Sequence, residues 1–145
     1  MSVVQQIKER FDYDTTLIKE YNSWGVLLRN QQVTIGSLIL LCREDVTEFH
    51  LISREAMTEY HSVIYDVETK LKSIFGYNKI NYLMLMMYDP VVHFHVIPRY
   101  DRDVNFENKI FLDTGWPDLP DLYYDNKPGK PRFQNLRSLL IHNFD

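Results

Sequence analysis

The stretch Asp89–Tyr100, DPVVHFHVIPRY, decides how the rest of the chain is read. A tight Tyr88–Asp89–Pro90 connector opens onto a β-rich run from Val91 to Arg99. Side chains alternate across a strand, so Val91, His93, His95 and Ile97 share one face, and Val92, Phe94 and Val96 the other. The second set is apolar and belongs to a core. The first set holds two of the chain's five histidines, about 6.5–7 Å apart along the strand. A solvated face would carry Lys, Glu or Thr. Two imidazoles between Val91 and Ile97 describe the floor of a half-buried pocket.

Upstream, Lys79 to Met87 is apolar on both faces and is expected to be a central strand. Before it, Ser53 is an N-cap with Glu55 in the first turn, and Met57, Tyr60, Ile64, Val67, Leu71 and Ile74 recur at steps of three and four. That stripe predicts a long core-facing helix stopped by Gly76. SWGVLLRN, from Ser23, reads as a strand ending in a turn at Asn30–Gln32. VTIGSLILLCRE, from Val33, reads as its hairpin partner, with Gly36 marking a bulge or a close backbone approach. Residues 2–20 read as helical, with Val3, Val4, Ile7 and Phe11 on one face.

Downstream the composition shifts. The span from Gly115 to Pro131 holds four of six prolines and two of five glycines, so it is expected to be an irregular arm carrying Trp116, Tyr123 and Tyr124. Pro131 then opens a final helix with Phe133, Leu136, Leu140 and Phe144 on one stripe. The expectation is one α+β domain over residues 1–145, with its core at about 15–100 and an arm plus helix at 101–145.

Composition narrows the class. With 145 residues, 45% of them hydrophobic, the chain can bury a core. A net charge of −4 argues against a nucleic-acid scaffold. Cys42 is the only cysteine, which excludes an internal disulfide and fits a reducing cytoplasm. The N-terminus lacks a signal-like apolar core, and no apolar run is long enough to span a bilayer.

Two histidines on one strand face admit three readings. They are structural rings, or two ligands of a metal site completed by His50, His61, Cys42 or a carboxylate, or a nucleophile with its phosphate-binding neighbour. None of the metal candidates has diagnostic spacing. A neutral imidazole is a competent nucleophile at phosphorus near pH 7.

HFHVIPRY closely resembles the core of the histidine triad (HIT) family, in which three histidines occupy alternate strand positions. The resemblance extends over roughly residues 15–100: IKEYNSWGVLLRN, TIGSLILL, the helix opened by Ser53, INYLMLMM and HFHVIPRY come in the family's order. It implies a HIT-like antiparallel sheet of about five strands with a long covering helix, and commonly a homodimer. It implies a hydrolase or nucleotidyl transferase acting at an α-phosphate of a small-molecule nucleotide, such as a dinucleoside polyphosphate or an adenylyl conjugate. Neither a cofactor nor a metal is called for, and neither nucleic acid nor membrane is a partner.

By position, His93 matches the nucleophile and His95 the third histidine, which lines the phosphate site. Asn30 lies near where the family often sets a polar residue on the ribose. Arg99 alternates onto the His93 face, where it either reaches a phosphate or pairs with Asp101 or Asp103. Trp116 either packs against the core or a dimer partner, or stacks on a base. The chain also departs from the pattern. Val91 stands at the first triad histidine, Ser37 where a further histidine is common, and Met86 and Met87 where an Asn or Gln is expected. Those departures make a non-catalytic nucleotide-binding or interaction protein the alternative, with a metal-dependent hydrolase third.

Overall fold

A computed structural model describes residues 2–145, and within the first helix it leaves out the side chains of Val3, Val4 and Ile7. The expected stripe on that helix therefore lies, but for Phe11, outside the described residues. The N-terminal segment is not one helix. It runs as α1 (Val3–Arg10), a short α2 (Tyr13–Thr16) and then β1 (Leu17–Glu20). Leu17–Glu20 is too short for its periodicity to choose between helix and strand. The open backbone edge of β2 (Trp24–Leu28) decides it, pairing Leu17 with Leu27 and Glu20 with Gly25.

Antiparallel pairing then builds one five-stranded sheet in the order β1-β2-β3-β5-β4, with β3 at Leu38–Cys42, β4 at Lys79–Leu83 and β5 at His93–Arg99. Three expectations shift here. β3 starts at Leu38 rather than Val33, because residues 33–37 form a buried connector. In it Thr34 N–H donates to Ser37 Oγ (3.0 Å) and Ser37 Oγ donates to the Thr34 carbonyl (2.8 Å). Gly36, at φ +85°, brings its backbone against the Phe75 ring, where an added Cβ would lie 3.2 Å from a ring carbon. β4 is an edge strand, not a central one, and ends at Leu83. Beyond it Met86 turns to positive φ, and Met87 and Tyr88 are 75% and 84% exposed.

The long helix α3 (Arg54–Phe75) follows the expected start and stop. Ser53 Oγ accepts from Ala56 N–H (3.0 Å), and Gly76 ends the helix in the left-handed region. Its buried face is rotated slightly from the predicted stripe. Ala56, Val63, Val67, Leu71 and Phe75 are buried, Tyr60, Ile64 and Ile74 half-buried, and Met57 exposed. α3 and α4 (Lys130–Phe144) share one core with Trp24, Val26, Leu38, Leu40, Val92 and Val96. The stripe Phe133, Leu136, Leu140 and Phe144 is buried as its spacing predicts.

Between sheet and α4 lies a small hairpin, β6 (Val104–Phe106) and β7 (Lys109–Phe111), turned by Glu107 and Asn108 at positive φ. The arm that follows is pinned by Asn126. Its amide donates to the carbonyls of Gln32, Val33 and Leu112, and its carbonyl accepts from Leu112 N–H. No helix among the described residues is long and apolar enough to cross a membrane.

Candidate functional site

Strand alternation on β5 sorts the motif. Val92 and Val96 are buried toward α3, and Phe94 stacks on Tyr60 with ring centroids 5.1 Å apart. His93 and His95 point to the opposite face, over the β3 positions Leu41 and Ile39 with which they pair. Tyr13 of α2 and Phe11, just before that helix, cover part of that face. A second apolar cluster forms there from Tyr13, Leu27, Ile39, Leu41 and Val91, with Phe11 and Leu17 against it.

Val91 is fully buried in this cluster. Where the triad pattern has a first histidine, the chain thus has a piece of apolar core. The Val91 backbone still serves the next ring, because His93 Nδ1 lies 2.8 Å from its carbonyl oxygen. A carbonyl only accepts, so in the neutral ring Nδ1 carries the proton and Nε2 the lone pair. His93 is 3% exposed, with the Phe11 ring at 5.7 Å and the His95 ring edge-on at 5.1 Å.

His95 is half-buried, and its Nδ1 accepts from Arg29 Nε at 3.3 Å. Burial, then the Arg29 charge and then His93, push its pKa down to about 4. At pH 7 the ring is neutral, and with Nδ1 accepting, its proton sits on Nε2. The two histidines therefore hold complementary tautomers, one offering a lone pair and the other an N–H. A cavity of about 170 Å³ opens beside His95, lined by Phe11, Leu27, Leu28, Ile39, Arg29, Asn30 and Gln31.

Asn30 thus reaches the cavity, with its amide held to Asp12 Oδ2 at 3.0 Å. Arg99 does not. It is 4% exposed and bound in a two-pronged ion pair to Asp113 (2.7 and 3.1 Å), with Nη1 on Asn81 (2.9 Å). Among the described residues, its ion-pair partner is Asp113 rather than Asp101 or Asp103. Asp113 arrives from a loop after β7 that no periodicity locates. Half-buried Trp116 lies against this pair, 5.9 Å from the Arg99 guanidinium.

Arg29 and Phe11 were not singled out from the sequence. An arginine ending a strand before a polar turn reads as a solvated terminus, and Phe11 reads as part of a helix stripe. Among the described residues, no three His, Cys, Asp or Glu side chains come together as metal ligands.

The sheet order, the covering helix and the paired imidazoles on β5 together define the histidine triad fold. A histidine triad (HIT) protein from Sinorhizobium meliloti matches with a TM-score of 0.70 and 22% identity, over 93% of each chain. One from Bradyrhizobium japonicum matches at 0.65 and 23% identity, covering 94% of this chain and 95% of its own. A hypothetical histidine triad nucleotide-binding protein from Sulfolobus tokodaii matches at 0.69 and 13% identity, covering 98% and 90%. By sequence, no family model and no curated protein matches the chain.

Proposed function

We propose that this chain is a divergent histidine triad enzyme, a hydrolase or nucleotidyl transferase acting at a nucleotide α-phosphate with His93 as nucleophile. The observation that carries this reading is the 2.8 Å contact from His93 Nδ1 to the Val91 carbonyl. It holds the Nε2 lone pair ready without a general base.

The chemistry runs in two displacements. His93 Nε2 attacks phosphorus, an N–P bond forms, and the bond to the leaving group breaks, its electron pair departing with that group. Water or another acceptor then attacks and gives up its proton to solvent, the N–P bond breaks, and Nε2 recovers its lone pair. His95, neutral with its proton on Nε2, donates a hydrogen bond to a phosphate oxygen in both steps. The substrate is a dinucleoside polyphosphate or an adenylyl conjugate, with Asn30 at the cavity rim near the sugar. Covalent trapping of the nucleotidyl group on His93 after acid quench tests this reading.

A second reading, a nucleotide-binding protein without turnover on the same fold, draws on two observations. Val91 is core, and Phe11 stands over His93. An adduct at His93 discriminates the two.

We also take the working form to be a cytoplasmic homodimer. The outer edge of β4 has no partner strand among the described residues, and Leu85, Met87 and Tyr88 are exposed just beyond it. A monomer mass by light scattering at micromolar concentration contradicts this assembly.

A further inference from the structure

Sheet register places Arg29 beyond His95, on the side away from His93. Leu41 pairs with His93, Ile39 with both His95 and Leu27, and Arg29 N–H bonds to the Ser37 carbonyl in the next row. The Arg29 side chain then folds back to the cavity, where its groups meet neutral partners. Nε donates to His95 Nδ1 (3.3 Å), and Nη1 donates to the Gln31 carbonyl (3.0 Å) and to Gln31 Oε1 (3.3 Å).

Among the described residues, no carboxylate forms an ion pair with this guanidinium. Burial lowers the Arg29 pKa, and the more distant Asp125 offsets only part of that effect. A half-buried cation without a counter-ion is unfavourable, and an anion entering the cavity relieves it. The surroundings suit one. Phe11, Leu27, Leu28 and Ile39 give it apolar walls, and neutral His95 adds its Nε2–H donor. At about 170 Å³ the cavity is smaller than the ~300–1,000 Å³ typical of whole drug-sized ligands, so it suits one charged group of a larger molecule.

We infer that Arg29 and His95 form an anion subsite that holds a second phosphate, adjacent to the one His93 attacks, and that Arg29 selects polyphosphate ligands over single-phosphate conjugates. This rests on the proposed function for its reacting phosphate, while the subsite itself requires no turnover. The His95 ring lies between the two positions, 5.1 Å from the His93 ring on one side and hydrogen-bonded to Arg29 on the other. One phosphate therefore serves His93, and a linked one serves Arg29. A guanidinium binds phosphate oxygens in pairs, which an ammonium cannot reproduce.

The test titrates the full chain with inorganic pyrophosphate, inorganic phosphate, malonate, ADP and AMP, following the His95 ring by NMR and heat by calorimetry. The expected result is saturable pyrophosphate binding that moves His95 and is tighter than malonate binding, with ADP preferred over AMP by roughly tenfold on the scale of one charge-assisted contact. Arg29→Gln should weaken pyrophosphate by tenfold or more and abolish the ADP preference, with Arg29→Lys intermediate. Circular dichroism confirms the fold of each variant, and should Arg29→Gln fail to fold, Arg29→Lys and the wild-type ligand series still decide. Pyrophosphate binding that ignores both substitutions, equal affinity for malonate, or no binding by the wild type overturns the subsite. Arg29-dependent binding without any His93 adduct overturns the proposed chemistry and leaves the subsite standing.

Discussion

The Nδ1 of His93 and the carbonyl oxygen of Val91 lie 2.8 Å apart, so the Val91 backbone orients the His93 ring. That contact is made by the main chain and does not depend on the side chain at position 91. The Val91 side chain has meanwhile become part of the apolar cluster with Tyr13, Leu27, Ile39 and Leu41.

A histidine introduced at position 91 should therefore not complete a triad. Val91→His places a polar ring in a fully buried apolar site, at a cost of about 1–3 kcal/mol for an unpaired polar group. Chemical denaturation should report that loss, and steady-state assays should find no gain in rate. A stable variant with faster turnover would mean that the cluster opens in solution.

Phe11 stands beside the proposed nucleophile. Its ring lies 5.7 Å from His93, and the helix before it is tied down by the Arg10–Asp89 ion pair at 2.9 Å. Phe11→Ala should speed carbethoxylation of His93 several-fold, measured by peptide mass mapping. An unchanged rate means that the ring is reached from elsewhere.

The histidines were legible in the sequence, and their environment was not. Two-residue alternation alone puts Val92, Phe94 and Val96 against α3 and both imidazoles on the other face. It is blind to what covers that face. The cover comes from Phe11 and Tyr13, in a segment that reads as one helix because Leu17–Glu20 carries no decisive period. Arg99 failed for a related reason. Its face was right, but Asp113, fourteen residues on, is a loop residue whose position depends on the β6–β7 hairpin and the Asn126 pin. The apolarity of Lys79–Met87 reads as a central strand, but on the sheet edge Ile80, Tyr82 and Leu83 are half-buried, and of its apolar residues only Leu85 and Met87, past the end of β4, are exposed.

The Arg99–Asp113 pair is structural. Their side chains are 4% and 2% exposed. Asp113→Ala leaves a buried guanidinium unpaired and should cost about 3–5 kcal/mol in urea unfolding. A loss below about 1 kcal/mol, the range of surface pairs, would contradict the burial.

The His95 ring should titrate far below its ordinary range. Its folded-state pKa of about 4 lies below the unfolded value of 6.5. As pH falls the unfolded chain takes up the proton first. The contribution of this ring to stability is thus whole above about pH 6.5, declines between 6.5 and 4, and falls no further below that. NMR titration of the ring should show no inflection near pH 6.5, and His95→Gln should flatten that part of the stability profile.

A covalent nucleotidyl intermediate on His93 is tested by rapid acid quench of the chain with an adenylyl substrate, followed by mass mapping of the modified peptide. The expected result is AMP on His93, an adduct and turnover both lost in His93→Ala, and a slower reaction with the adduct retained in His95→Ala. A wild-type chain that binds nucleotide but carries no adduct, with affinity unchanged by His93→Ala, would contradict it.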